Sequence, residues 1–526
     1  MFMQLYLHFH QITIIILSDK TPVMSGVKER SGTAFFASSN ISMSTLNLTL
    51  LTDLYEMTMM QGYFKTGNRD VAVFDAFYRN NPCDGGYAIC AGLDQMIDYI
   101  KNLHFDEEDI SYLRGLKIFD EDFLTYLSNF RFSGDIYAIP EGTLIFPREP
   151  LVKVVAPIME AQLIETAVLN IINHQSLIAT KAARVCYAAQ GDGVMEFGLR
   201  RAQGPDSGTY GARAAVIAGC KGTSNVLAGQ MFDIPVLGTH AHSWIMSFPD
   251  EYTAFKNYAD LYPSACILLV DTYDTLKSGI PNAIRVFNEM REAGIPLSYY
   301  GIRMDSGDLA YLSKQVRKML DDAGFPDAVI SASNDLDEYL IESLKIQGAT
   351  ITSWGVGTNL ITSKDNPAFG GVYKLAAIQD SATGEFIPKI KLSENIEKVT
   401  NPGNKTIFRI YDKKSGKIKA DLICLVGETF DESQDLKLFD PNAPWKKTRL
   451  AGGSYTLREL LVPVFMQGQC VYESPSVMDI QKYCTAEKNT IWDETKRFVN
   501  PQEIYVDLSD KLYELKTNIL NQAHVD

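Results

Sequence analysis

The amino-acid sequence predicts an α/β protein: a (β/α) barrel flanked by an α+β domain assembled from both ends of the chain. Three observations predict it. From about residue 190 to residue 374, short apolar runs alternate with amphipathic helical stretches, the pattern of a parallel sheet. Each run gives way to polar or charged residues, as barrel strands do where they meet their loops. On either side of this block the alternation is lost.

In chain order, Met1–Leu17 is apolar, with no basic residue ahead of its hydrophobic part and no small-residue cleavage site. Residues 18–45 are Ser-rich and patternless. Residues 1–45 are therefore expected to be a disordered or non-native leader, with Met43 the better start and a signal peptide the alternative. The flanking domain is expected to comprise residues 46–157 and 375–526. Leu46–Phe64 should hold a helix with Thr52 as N-cap and Gly62 near its end. Val71–Arg79 alternates like a strand, and Ile136–Val155 reads as strands with turns at its prolines.

The barrel is expected over residues 158–374, opening on one long helix, Ile158–Ala189. GVMEF leads to Arg200 and Arg201, and the run around Ala214–Ala218 to Lys221 through Asn225. DIPVL leads to Thr239 and His242, ACILLV to Asp271 and Asp274, and LSYYGI to Arg303, Asp305 and Asp308. AVISAS leads to Asn334 and Asp335, and ITSWGV to Gly357 and Thr358. Between them, Pro281 opens a helix closed by Gly294, Ser306-Gly-Asp opens one closed by Gly324, and Asn334 caps a third. No G-x-G-x-x-G or G-x-x-x-x-G-K-[ST] fingerprint occurs, so Rossmann and P-loop nucleotide binding are unsupported. Past Lys374, Lys389–Tyr411 and Lys417–Val426 look like antiparallel strands around the turn Asp412–Lys417, and Asp507–Leu520 like a helix.

Composition narrows the function. At 526 residues the chain has ample length for a large core, and a net charge of −15 argues against nucleic-acid binding. The apolar Met1–Leu17 is short for a membrane span, so no membrane role is expected. Eight cysteines form no C-x-x-C pair and sit mostly in apolar runs, which suggests reduced thiols and a cytoplasmic location.

Two of the seven histidines, His240 and His242, lie one residue apart at a strand end. Such a pair can open a metal site, transfer a group or fill a core. No histidine occurs between 243 and 523, so any further metal ligands would be carboxylates or His174. That favours a nucleophile or proton carrier, with a metal-dependent amidohydrolase as the alternative. Arg200, Arg201, Arg303 and Lys374, converging on one barrel mouth, would form a polyphosphate pocket. Asp305 and Asp308, with Ser306 and Gly307 at a helix start, suit phosphate or Mg²⁺, and the Gly-rich GVGT (355–358) suits phosphate.

TDLYEMTM (52–59), EFGLRRAQGPDSG (196–208), GTSNVLAG (222–229), GTHAHSW (238–244), GIRMDSGDL (301–309), SNDLDE (333–338) and GVGTNL…GGVYKL (355–375) closely resemble nicotinate phosphoribosyltransferases, in order along the chain. The resemblance implies an irregular (β/α) barrel of the type II phosphoribosyltransferase kind. It implies transfer of the 5-phosphoribosyl group from 5-phosphoribosyl 1-diphosphate to nicotinate, the first step of NAD salvage from nicotinate. Mg²⁺ would assist, and ATP hydrolysis would be coupled through a phosphohistidine. Carried over by position, His242 would be phosphorylated, and Tyr55 and Thr239 would contact nicotinate. Arg303 would hold the nicotinate carboxylate or the phosphates, Arg200 the diphosphate, and Thr358 the 5-phosphate, with Gly357 also binding substrate. Arg303 and Asp305 would be catalytic, and Ser333 and Asn334 would bind substrate. Relatives that use nicotinamide carry an acidic residue at Ser224, so Ser224 points to the acid. Many relatives have Leu at the position of His240, which is given no catalytic role. A homodimer with shared active sites is implied, Tyr55 reaching the neighbour's pocket.

Overall fold

The computed structural model describes residues 47–393, 399–441, 443 and 445–523, which belong to one compact unit. The expected leader lies outside these residues. The chain is a mixed α/β fold. Its parallel sheet has the strand order Gly193–Glu196, Ser353–Val356, Val329–Ala332, Tyr300–Met304 and Cys266–Leu269. Isolated parallel bridges, Glu196 to Thr223 and Thr223 to Val236, extend it past Gly193–Glu196. Between strands, Ile280–Glu292 buries Ile280, Ala283, Val286, Phe287 and Met290, a spacing that aligns them on one helix face. Leu309–Asp322 does the same with Leu309, Ala310, Ser313, Val316 and Leu320, capped by Asp308, which accepts from the Tyr311 amide. Each fully buried aliphatic or Phe side chain contributes about 1.5–3 kcal/mol. Gly301 (φ +158°) lets two parallel strands close up: a Cβ there would lie 2.0 Å from the Val329 carbonyl oxygen.

An antiparallel seven-stranded sheet joins distant segments in the order Phe386–Pro388, Gly371–Gln379, Val71–Tyr78, Val152–Pro157, Asp135–Ala138, Val462–Met466 and Gln469–Cys470. A six-stranded sheet is C-terminal, with Tyr505–Leu508 and Ile418–Leu425 at its centre and Lys405–Asp412 paired to the latter. No helix among the described residues is long and apolar enough to cross a membrane.

Several local expectations need correction. Thr52 is not the N-cap of the first helix, Leu54–Thr66; Asp53 holds that place, and Thr52 bonds the Glu56 carboxylate instead. The helix expected over Ile158–Ala189 breaks at Ile164 into Ile158–Leu163 and Glu165–Ala188. The Ala214–Ala218 run is helical, the end of Pro205–Ile217, because small residues there pack against Glu165–Ala188. Asp337, not Asn334, caps Glu338–Ile346; Asn334 stands before it with φ +85°. The strand expected from Lys389 begins at Lys405, and residues 394–398 lie outside the described residues. Asp507 lies in the strand Tyr505–Leu508, and the last helix starts at Asp510.

Candidate active site

The parallel strands end on one face, where ligands bind in sheets of this kind. Arg303, in Tyr300–Met304, lies opposite Leu269 and Ser331 of its two neighbours. Its side chain is largely buried, and two of its three guanidinium nitrogens are hydrogen-bonded. Nε donates to Ser333 Oγ (2.9 Å), one terminal nitrogen to Thr239 Oγ1 (2.6 Å) and the His240 carbonyl (3.4 Å), and the other lies 3.6 Å from Asp305 Oδ1. Ser333 in turn donates to Asp305. Three strand ends are thus tied by one planar cation, whose fixed fork suits carboxylate or phosphate.

His242 opens a short helix beside this group. Its Nδ1 is 3.0 Å from Thr272 Oγ1, and its Nε2 lies 4.0 Å from Asp271 Oδ1 and 3.9 Å from Asp305 Oδ2. Asp271 is buried; its Oδ2 accepts from the Asp305 amide and Ser306 Oγ, both at 2.7 Å. Its Oδ1 has no hydrogen-bond partner. Such an orphaned anionic oxygen facing an imidazole is a group kept for a ligand or a charged partner. Sequence reasoning put Asp271 at a strand end without a role and passed over Thr272; only their spacing after ACILLV pointed there.

Glu196 was also missed. Buried, it accepts from Thr223 Oγ1 (2.6 Å) and the Gly198 amide, and burial pushes its carboxyl up. It fixes the starts of the two segments that carry Ser224 and Arg200. Ser207, in the first turn of the helix Pro205–Ile217, bonds His174 Nε2 at 3.2 Å, and burial lowers the His174 pKa.

The structure brings together His242, Thr239, Arg303, Asp305 and Ser333. Arg200, Ser224, Gly357 and Thr358 stand at neighbouring strand ends without touching that network, Arg200 and Asn334 being exposed. Lys374 does not join it, contrary to the convergence expected. On the antiparallel sheet opposite Asp75, its charged neighbours are Glu165, Lys391 and Arg79. Tyr55 likewise lies beside Glu165 and Glu56 and is 47% exposed.

His240 has a different task from His242. Its Nε2 accepts from the Leu269 amide (3.3 Å), and its ring packs edge-on to Tyr258, 4.5 Å between centroids. The two imidazoles therefore do not point at a common ligand, which weighs against a metal pair. Burial pushes His240 down from 6.5 to about 4, with the Arg303 and His242 charges adding to it and a bond at Ala241 opposing. The folded state binds this proton less readily than the unfolded chain. Its stability term is therefore intact above pH 6.5 and is lost as pH falls toward 4. His240→Leu should leave the Leu269 amide unpartnered, cost about 1–3 kcal/mol, and flatten that acid limb. Thermal melts of both proteins across pH 4.5 to 8 check this; parallel curves would remove His240 from the role.

A strand-end arginine, paired carboxylates and a histidine at the C-terminal edge of a parallel sheet define an α/β enzyme for a small anionic substrate. Family models then cover most of the chain. Residues 50–173 match the nicotinate phosphoribosyltransferase (NAPRTase) N-terminal domain, residues 193–410 the NAPRTase family, and residues 404–516 its C-terminal domain. The chain belongs to the nicotinate phosphoribosyltransferase family. It is 46% identical to a nicotinate phosphoribosyltransferase of Bacillus subtilis over 478 residues, 91% of this chain and 96% of the other. It is 31% identical to the Homo sapiens protein of that name over 529 residues, 89% and 96% of the two chains. The crystal structure of human nicotinic acid phosphoribosyltransferase superposes with a TM-score of 0.77 at 29% identity, covering 89% of this chain and all of that one. A nicotinate-nucleotide pyrophosphorylase from Pyrococcus furiosus, at 21% identity and a TM-score of 0.64, shares the fold.

Proposed function

We propose that the chain transfers the 5-phosphoribosyl group of 5-phosphoribosyl 1-diphosphate to nicotinate, the entry step of NAD salvage from nicotinate. The observation that carries this is the Arg303 network beside His242, in a chain of this family. The nicotinate ring nitrogen attacks C1 as the bond to diphosphate breaks, so the pyridine becomes a pyridinium with no proton to move. The protein's work is orientation and charge neutralisation. Arg303, held by Thr239 and Ser333, presents its positive face to the nicotinate carboxylate or the phosphates. Arg200 takes the diphosphate and Thr358 the 5-phosphate, with Gly357, Ser333 and Asn334 as further substrate-binding residues. Ser224, an uncharged group, admits the acid.

His242 carries the phosphoryl group that couples ATP hydrolysis, its ring held by Thr272 and faced by Asp271 and Asp305. The two carboxylates are hard oxygen donors, and the orphaned Asp271 Oδ1 fits a magnesium ion, which Asp271 and Asp305 would hold. Bound there, the ion would neutralise diphosphate charge.

We further infer that the parallel strands close into an irregular barrel over residues 158–374, flanked by 46–157 and 375–526 as one discontinuous domain. The Leu269–His240 bond, joining one edge of the parallel sheet to the segment beyond Val236, supports closure. The mixing of both chain ends in the seven-stranded sheet supports the division. A homodimer is proposed from exposed apolar side chains: Leu54, Tyr55 and Met59 on one helix, and Val226, Val236 and Met246 near the site. One copy's Tyr55 then reaches the other's pocket. Eight free cysteines support a cytoplasmic location.

Product formation from nicotinate and 5-phosphoribosyl 1-diphosphate, with and without ATP, tests the function; hydrolysis of an amide without nucleotide formation would favour the amidohydrolase. His242→Ala should abolish the acid-labile phosphoenzyme and ATP stimulation while leaving slow ATP-independent turnover. Undiminished ATP coupling in that variant would remove His242 from the relay.

A further inference from the structure

At the opposite, N-terminal ends of the parallel strands, Cys186 and Cys220 face each other with their sulfurs 4.0 Å apart. Cys186 sits near the end of Glu165–Ala188 and is half-buried; Cys220 is fully buried just ahead of the bridging residue Thr223. Cys186 also lines a surface cavity of about 310 Å³ with Tyr187, Gln190, Gly191, Glu342 and Phe498. Lys488 closes the other side, its Nζ donating to the Ala218 carbonyl at 2.7 Å. Gly219, at φ +127°, keeps this corner open: a Cβ there would lie 3.3 Å from Lys488 Nζ and 3.5 Å from Cys186 Sγ.

We propose that Cys186 and Cys220 are a redox-modification site, a dithiol that closes to a disulfide when a hydroperoxide enters from the cavity. The sulfurs need to approach by about 2 Å, within reach of side-chain rotation and a small backbone shift. The Cys186 thiolate attacks the peroxide O–O bond, giving a sulfenic acid and hydroxide, which takes up a proton. Cys220 then attacks that sulfur: the S–S bond forms, the S–O bond breaks, and water leaves with the Cys220 proton. Two thiols and hydrogen peroxide become one disulfide and two waters.

The surroundings divide these roles. The hydrogen bond from Cys220 pulls the Cys186 thiol below its ordinary range against the effect of burial, with Lys488 and Lys221 assisting. The same bond, followed by burial, pushes Cys220 up. An attacking and a resolving cysteine differ in this way. The disulfide would also reach the active face. Lys221, next to Cys220, donates its amide to Val194 and begins the segment that carries Ser224. Drawing Cys220 toward the helix pulls that segment, and this functional half rests on the proposed transferase activity.

Titrating the full-length protein with hydrogen peroxide tests it. The expected result is an intact mass lower by two hydrogens, a non-reducing digest joining the Cys186 and Cys220 peptides, and kcat/KM for nicotinate lower by about tenfold, all reversed by dithiothreitol. Cys220→Ser should stop at a dimedone-reactive sulfenic acid, and Cys484→Ser, a change on the helix Val477–Lys488 packed against Pro205–Ile217, should behave as the unaltered chain. Both thiols staying alkylatable after peroxide treatment, a bridge formed through Cys484, or full activity in fully bridged protein would overturn the switch. The mass readout is independent of activity, so its failure is distinct from failure of the assigned reaction.

Discussion

Arg303→Ala is expected to lower kcat/KM by about three orders of magnitude while leaving the fold assembled. Truncating one partner of a buried, hydrogen-bonded charge group costs about 2–5 kcal/mol, and each 1.36 kcal/mol is a factor of ten in rate. Arg303 belongs at the upper end because its removal does three things at once. Thr239 and Ser333 lose the donor that orients them, the His240 carbonyl loses a partner, and Asp305 is left as an uncompensated carboxylate where an anionic substrate must dock. Arg303→Lys should recover only part of the loss, since one ammonium cannot span Thr239 and Ser333 together. Steady-state kinetics in both substrates, beside melting curves that shift little, make the measurement. Activity within about fivefold of the unaltered chain would place the substrate's anionic group elsewhere.

How much of this was legible in the sequence depends on the distance over which each feature is decided. The parallel strands at Cys266–Leu269, Tyr300–Met304, Val329–Ala332 and Ser353–Val356 were readable because burial on both faces writes a continuous apolar run. The helix capped by Asp308 was readable because its cap, its apolar face and Gly324 are all local. Ala214–Ala218 misled for the complementary reason: an alanine-rich helix buried on most sides also reads as an apolar run. In the site, GTHAHSW and GIRMDSGDL announced His242 and Arg303. Nothing local says that Arg303 bonds Thr239, 64 residues earlier in the chain, or that Asp271 faces His242. Those pairings follow from strand order. The histidine pair shows the limit best: His240 and His242 look alike in sequence, and only packing makes one a buried acceptor and the other a half-exposed group beside carboxylates.

A second large effect is expected far from the chemistry, at Arg409. Its side chain is wholly buried in the six-stranded sheet, opposite Asp421 on the paired strand, and it binds both Asp421 oxygens, with contacts of 3.0 and 2.7 Å. Glu487 sits 3.3 Å away and also grips Arg458. Burial, together with the Asp421 charge, pushes the neighbouring Glu149 carboxyl well above the usual range. The cluster sets two guanidinium groups, Arg409 and Arg458, against three carboxyl groups, Asp421, Glu487 and Glu149. Arg409→Met keeps the volume but strands a buried carboxylate, which costs about 3–5 kcal/mol. Arg409→Met combined with Asp421→Leu should regain most of that loss, because an apolar pair of similar size needs no desolvated charge. Glu149→Gln should act in the other direction. A carboxyl whose folded pKa is raised costs stability as pH climbs above its ordinary 4.5, and an amide has no such term while still able to accept from the Phe146 amide. Denaturation midpoints for the four proteins at pH 5 and pH 8 distinguish the cases: a double variant no better than Arg409→Met would show that the arginine acts through its packing over Phe146, not through its charge.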